Sequence, residues 1–372
     1  MKQNLPMPLV SKGLRIVARK FAEGSWTGVF SLALACSISS QAVSQPKTPL
    51  TIATQTTWAP SGQIFDVLCR TNVLELNGFD AKCRGFTYGP PLGEALIAGL
   101  IDNAFGADVP ALRMSARKSG TKILHRTNDW VFGILVRSNL EAPNLISLRG
   151  KKLSGPFGTG TFPRCVLKLI DAGMKDPFQE MTMINQDVSD QPQALSAGLV
   201  DAVTTWHPMF ERLIESGTAK VLWASEQGDG LAIQGLSGEW LSKNGEGAAV
   251  RFLKAYIMAT WWASNNLEQA HEWFSETSRI PVKFVKAAAE GDRYLRSPHQ
   301  DIKTMTFELL PNEISSMQRV IDYLHGRGLL QEKMDVAAMV DNKYIMRAQK
   351  EVQEGKHPPL PDIKVGKKLY VE

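Results

Sequence analysis

Ala95-Leu-Ile-Ala-Gly-Leu-Ile-Asp102 and Ala194-Leu-Ser-Ala-Gly-Leu-Val-Asp201 carry one pattern twice. Each reads as an apolar helix end, a Gly that stops it, and a strand that leads into a turn. Gly suits the stop because it takes the left-handed backbone at no steric cost. Working outward from the first copy, residues 50–54, 81–88, 101–105, 122–126 and 130–136 read as strands. Helical spacing lies between them, at 62–76, at 89–98 and, after Gly106-Ala-Asp-Val-Pro110, to about 118. Outward from the second copy, 152–154, 180–184, 199–204 and 219–222 read as strands, with helices at 164–172, 192–197 and 206–215. Strands alternating with helices over short turns predict an α/β fold with mainly parallel sheets. Because the plan runs twice, the expectation is two lobes, each a mainly parallel sheet flanked by helices. Residues 231–234 read as a return strand, and the chain is mostly helical from 247. The expected division is lobe I at 48–140 plus 231–340, lobe II at 141–230 and a C-terminal tail at 341–372.

The first 42 residues differ from the rest. Lys2, Lys12, Arg15, Arg19 and Lys20 precede an apolar run from Val29 to Ile38, and small residues follow at Ser40 and Ala42. This is the pattern of a secretory signal peptide. The apolar run is too short to span a bilayer. Cys36 sits in Ala33-Leu-Ala-Cys36, a poor lipoprotein signal, so cleavage after Ala42 is favoured over lipid anchoring at Cys36. The leader holds five basic residues and one acid, Glu23. It therefore accounts for +4 of the formal +5, and the mature chain is near +1. The basic pI therefore implies no nucleic-acid or membrane partner. Of the remaining cysteines, Cys69 and Cys83 are candidates to pair in an exported protein, and Cys165 would be left free.

Gly158-Thr-Gly-Thr-Phe-Pro163 joins the first strand of the second lobe to a helix. Backbone amides at such a helix start, with hydroxyls beside them, suit an anion. Two lobes on one plan place several helix starts opposite each other, and a ligand would lie between them, outside the carboxyl ends of the strands. The candidate ligand group is Thr159, Gly160 and Thr161, with Thr56, Thr57 and Trp58 in the first strand-to-helix turn and Trp206 and His207 in the last. Asp108 is a candidate both for capping its helix and for ligand contact. Arg164 reads as a possible partner for the anion, or as part of a solvated face. The six histidines show no metal-ligand spacing, and no nucleophile elbow or phosphate loop occurs. No cofactor, metal or catalytic residue is expected.

At this point the motifs resemble a known family. Ala95 to Asp102 with Gly106-Ala-Asp-Val-Pro110, then Ser147-Leu-Arg-Gly-Lys-Lys-Leu153, the glycine turn, and Ala197-Gly-Leu-Val-Asp-Ala-Val-Thr-Thr-Trp-His-Pro208 fit in order and spacing. They resemble the periplasmic substrate-binding proteins of the nitrate, sulfonate and taurine group, the thiamine-pyrimidine-like domain, over roughly residues 48 to 340. The resemblance implies the type II two-lobe fold and capture of a small anion. It also implies delivery to an ABC permease and its ATPase, with the binding protein itself a monomer. Many relatives carry an acid where this chain has His207, which weakens a taurine-like ligand and suits a plain anion. The resemblance also extends to aryl-sulfinate desulfinases, which keeps an enzyme with Cys165 and His207 open as the alternative.

Overall fold

The computed structural model describes residues 46–118, 120–226 and 229–371. The expected signal peptide, with Cys36, lies outside the described residues. Ten strands form two five-stranded sheets. The first holds β1 (Thr48–Gln55), β2 (Phe79–Phe86), β3 (Asn103–Ala107), β4 (Lys122–Trp130) and β10 (Gly230–Leu236), in the order β2-β1-β3-β10-β4. The second holds β5 (Phe132–Arg137), β6 (Lys152–Gly155), β7 (Thr182–Asn185), β8 (Ala202–Trp206) and β9 (Ala219–Ala224), in the order β7-β6-β8-β5-β9. In each sheet the first three strands are parallel and the fourth is antiparallel to its neighbours. The two sheets are one design used twice.

Residues 132–137, read from the sequence as part of the first run of strands, pair with β8 and β9 in the second sheet. Only Val131 separates β4 from β5, so the chain crosses there. It crosses back between β9 and β10. Periodicity identifies a strand but not the sheet that accepts it, which is why the crossing cannot be read from alternation.

The repeated octapeptide is a repeated structure. After α3 (Gly89–Ile97) and α7 (Gln191–Ser196), Gly99 and Gly198 take φ of 73° and 70°. The amides of Leu100 and Leu199 bond to the carbonyls of Ala95 and Ala194, each at 2.9 Å, a Schellman stop. Asp102 and Asp201 then bracket the neighbouring strand. Each gives its amide to a carbonyl, of Thr51 or Lys152, and takes the same residue's amide on its carboxylate. These stops set where β3 and β8 start and hence where their carboxyl ends emerge.

Helices α1 (Ser61–Arg70), α2 (Val73–Leu76) and α4 (Asp108–Arg117) flank the first sheet, and α5 (Thr161–Asp171), α6 (Pro177–Glu180) and α8 (Met209–Glu215) belong to the second. Helix α5 starts at Thr161, three residues before the sequence expectation. The long α9 (Gly238–Asn265) carries non-helical backbone at Gly245 and packs Phe252, Tyr256 and Ile257 into the core under β1 and β3. Then follow α10 (Leu267–Ser278), α11 (Val282–Ala289) and α12 (Pro311–Gly326). None of the described helices is long and apolar enough to cross a membrane.

The C-terminal segment departs from the extended, exposed tail that its Pro and Lys content suggested. A helix at Lys343–Gln353 buries Tyr344, Ile345, Ala348 and Val352. Beyond it, Gly366 bonds to Arg70, and Leu369 exchanges backbone bonds with Cys69 and Cys83. Cys69 and Cys83 form a disulfide joining α1 to β2.

Candidate functional site

The carboxyl ends of β1, β3, β6 and β8 converge between the sheets, together with the helix starts that follow them. A hydrophobic cluster spans this space: Trp58, Ala107, Trp130 and Ala232 from the first lobe meet Phe132, Leu153, Cys165 and Trp206 from the second. Three tryptophans form its centre. Trp130, the last residue of β4, meets Trp58 at 5.4 Å and Trp206 at 6.3 Å between ring centroids, both edge to face. Trp58 and Trp206 occupy equivalent turns, Trp58-Ala-Pro60 before α1 and Trp206-His-Pro208 before α8, each with a cis X–Pro bond. The matching tripeptides were visible in the sequence. Trp130 carried no such sign, because a Trp at a strand end is equally suited to ordinary core packing.

The glycine turn meets the first lobe directly. A Cβ on Gly160 would lie 2.5 Å from Asp108 Oδ1, so only Gly admits this approach. Phe157 and Phe162 stack at 4.1 Å and both face Phe178 edge on, which fixes the turn from behind. Arg164 Nη2 lies 2.5 Å from Asp108 Oδ2 across the cleft, and Arg164 Nε donates to the carbonyl of Asp229 at 3.2 Å. Arg164 is buried, at 7 % exposure, so its solvated-face reading is corrected. It sits one turn inside α5 beside Thr161, and the earlier helix start carries it inward.

The predicted site residues divide by what their polar atoms do. Thr56 Oγ1 donates to the Phe86 carbonyl at 3.2 Å, Thr57 Oγ1 to Thr87 at 2.7 Å, and Thr159 Oγ1 to Pro156 at 2.8 Å. Thr159 braces its own turn, while Thr56 and Thr57 tie theirs to the end of β2. Asp108 stands in the first turn of α4, where its Oδ1 takes the Val109 amide at 2.8 Å. His207 pairs through Nδ1 with Glu211 one turn along and stacks on Phe210 at 5.0 Å, so its ring is engaged within its own lobe. Trp58 and Thr161 differ. The indole Nε1 of Trp58 and the hydroxyl of Thr161 are buried with no partner in the protein. The same holds for Trp130 Nε1, Ser154 Oγ, Thr204 Oγ1 and Arg164 Nη1. Sequence reasoning missed Trp130, Ser154 and Thr204. A serine or threonine in the last residues of a parallel strand was the available signal.

Buried polar groups are ordinarily satisfied, because a lone one costs its full desolvation. Unpartnered buried atoms occur in both lobes, and those of Trp58, Trp130, Thr161 and Arg164 belong to residues where the lobes meet. Donors of this kind, with the amides that open α5, suit an oxyanion. Cys165 does not contribute a nucleophile: it is fully buried, and burial pushes its thiol well above the ordinary range. Among the described residues no group of His, Cys, Asp and Glu is arranged to hold a metal.

No family model matches the chain. It is 25 % identical over 318 residues to a Bacillus subtilis protein named as an aliphatic sulfonates-binding protein, covering 84 % of this chain and 88 % of the relative. The solved alkanesulfonate-binding protein SsuA of Xanthomonas axonopodis pv. citri, bound to MOPS, superposes with a TM-score of 0.64. It is 20 % identical and covers 79 % of this chain and 98 % of its own. The chain is similar in sequence to a protein named for sulfonate binding and shares the fold of sulfonate- and nitrate-binding periplasmic proteins. Its two five-stranded sheets share the fold of these solved binding proteins. The desulfurization enzyme DszB, solved with biphenyl-2-sulfinic acid, shares the fold at a TM-score of 0.61 and 15 % identity, covering 82 % of this chain and 99 % of its own. That likeness shows the scaffold alone, and the relatives found by sequence are named as binding proteins.

Proposed function

We propose that this chain is the solute-binding component of an ABC importer, and that its two lobes close on a small organic anion of the sulfonate type. The observation that carries this reading is the set of buried donors without partners on residues where the lobes meet, Trp58, Trp130, Thr161 and Arg164. The Bacillus and Xanthomonas relatives, both named for sulfonate binding, support the ligand class. Within the site, Thr161 and Arg164 hold the oxyanion, while Trp58, Trp130 and Trp206 pack on the organic part. Gly160 lets the lobes meet, Asp108 orients Arg164, and Thr56, Thr57, Thr159 and His207 keep the surrounding turns in shape. The lobes divide at the two strand exchanges, near Val131 and between β9 and β10, so the sequence boundary at 140/141 moves back because β5 pairs with β8 and β9. Residues 1–42 are a cleaved export signal, and the Cys69–Cys83 disulfide fits an oxidising compartment. The mature protein works as a monomer, passing its solute to a permease driven by an ATPase.

Isothermal titration of the mature protein with methanesulfonate, ethanesulfonate and benzenesulfonate tests the function. The expected result is one-site binding of at least one of them, with the ligand recovered unchanged. Absence of heat with all three, or conversion of the ligand, overturns it. An intact mass that starts at Val43 and carries no lipid checks the export reading.

A further inference from the structure

Asp108 and Arg164 approach from opposite lobes, one from the first turn of α4 and the other from the second turn of α5. Their charged atoms are 2.5 Å apart and both side chains are almost fully buried, at 1 % and 6 % exposure. Arg164 is held at two corners, by Asp108 through Nη2 and by the Asp229 carbonyl through Nε. Its third corner, Nη1, is buried without a partner. The carboxylate is equally fixed, with Oδ1 on the Val109 amide and Gly160 leaving room for it. The cation is therefore already neutralised by an acid from the opposite lobe.

A buried ion pair of this kind seldom adds stability over an apolar pair, because both charges lose water. Its effect on a ligand is larger. An anion bonding to Nη1 meets fixed charges that sum to zero. It gains a directed hydrogen bond from the guanidinium. It also stands near the Asp108 carboxylate in a medium where charges are weakly screened. A second negative charge on the ligand would have no countercharge in the pair and would add repulsion from Asp108. We infer that Asp108 is the residue that sets the charge accepted by the cleft: singly charged oxyanions enter, and doubly charged ones of the same shape are refused. This inference rests on the anion-capture reading above and names the selectivity of the same site.

Methanesulfonate and sulfate make a matched pair of probes, since they share a tetrahedral SO3 head and differ by a methyl group against a charged oxygen. Titrations run at pH 7 and constant ionic strength, on the wild type and on Asp108→Asn. The wild type should prefer methanesulfonate by about a hundredfold or more. Asp108→Asn should gain sulfate affinity by about tenfold or more and change methanesulfonate affinity less than that, so the ratio narrows. Arg164→Gln should lose both anions. A wild type that takes both anions equally overturns the filter alone, and that arm needs no variant. A folded Asp108→Asn with an unchanged ratio also overturns the filter alone. A wild type that takes neither probe and none of the larger sulfonates overturns the capture reading and the filter with it.

Discussion

Thr159 and Thr161 stand two residues apart in one turn, and only one has a hydroxyl to offer. Thr159 donates to Pro156, whereas Thr161 is fully buried with no partner in the protein. Thr161→Val keeps the shape and removes the donor. It should weaken sulfonate binding by about tenfold. Thr159→Val should leave affinity within about twofold and lower stability by about 1 kcal/mol or less, since the Pro156 carbonyl loses the hydroxyl but keeps the Thr159 amide. Titration and thermal melts of the two variants separate these roles. The sequence marked both residues and could not rank them, because hydroxyl partners are set by backbone geometry within the turn. Asp66 makes a second case at this scale. Burial lifts its carboxyl to about 6 from an ordinary 3.8, against the hydrogen bond from Tyr370 and the charge of Arg70. The native state thus keeps a proton that the unfolded chain releases. Asp66 contributes most to stability below about pH 4, and that contribution is lost as pH rises through 6. Relative to Asp66→Asn, the wild type should be more stable at pH 4 than at pH 7 by on the order of 2 kcal/mol. A difference that does not move with pH would contradict the assignment.

At the scale of elements, the glycine turn and its support decide the site. The turn was legible in the sequence, as were most of the strands and the repeated helix stops. What was not legible is contact at a distance. Nothing local in residues 130–137 tells β4 from β5, and nothing local to Arg164 reveals Asp108, 56 positions earlier. The tail is another example: its composition suggests an exposed segment, yet Tyr370 reaches Asp66 and the backbone of Leu369 pairs with that of Cys69 and Cys83. The disulfide belongs to this scale, since it clamps α1 to β2 where the tail docks. Its separation of 14 residues predicts that Cys69→Ala with Cys83→Ala lowers stability by about 3 kcal/mol. Anion affinity should not change, because α1 is held on the sheet by its buried apolar face as well. Denaturant melts paired with titration check both halves. A large loss of affinity at unchanged stability would mean that the disulfide tunes the site rather than the lobe.

Taken whole, the molecule is two copies of one α/β plan closed on each other. The closed form is held at its rim as well as at its centre. Arg319 on α12 pairs with Asp171 on α5 at 2.5 Å, Arg327 pairs with Asp176 through two nitrogens at 2.8 and 2.9 Å, and Lys283 on α11 pairs with Glu215 on α8. Each pair is partly exposed and contributes roughly 1 kcal/mol or less. The rim therefore biases closure, and the ligand supplies the rest by engaging both lobes. Arg327 also lies over Phe178, 4.9 Å from its ring, and so links the rim to the support of the glycine turn. The measurement that tests this account most directly is a crystal structure of the mature protein grown with the sulfonate that binds it. The account predicts one anion between the lobes, with oxygens at hydrogen-bond distance from Thr161 Oγ1 and Arg164 Nη1 and its organic part against Trp58, Trp130 and Trp206. A sulfonate bound instead in the outer groove beside Arg113, Arg117 and Gly158, with the tryptophan cluster unchanged, would contradict it.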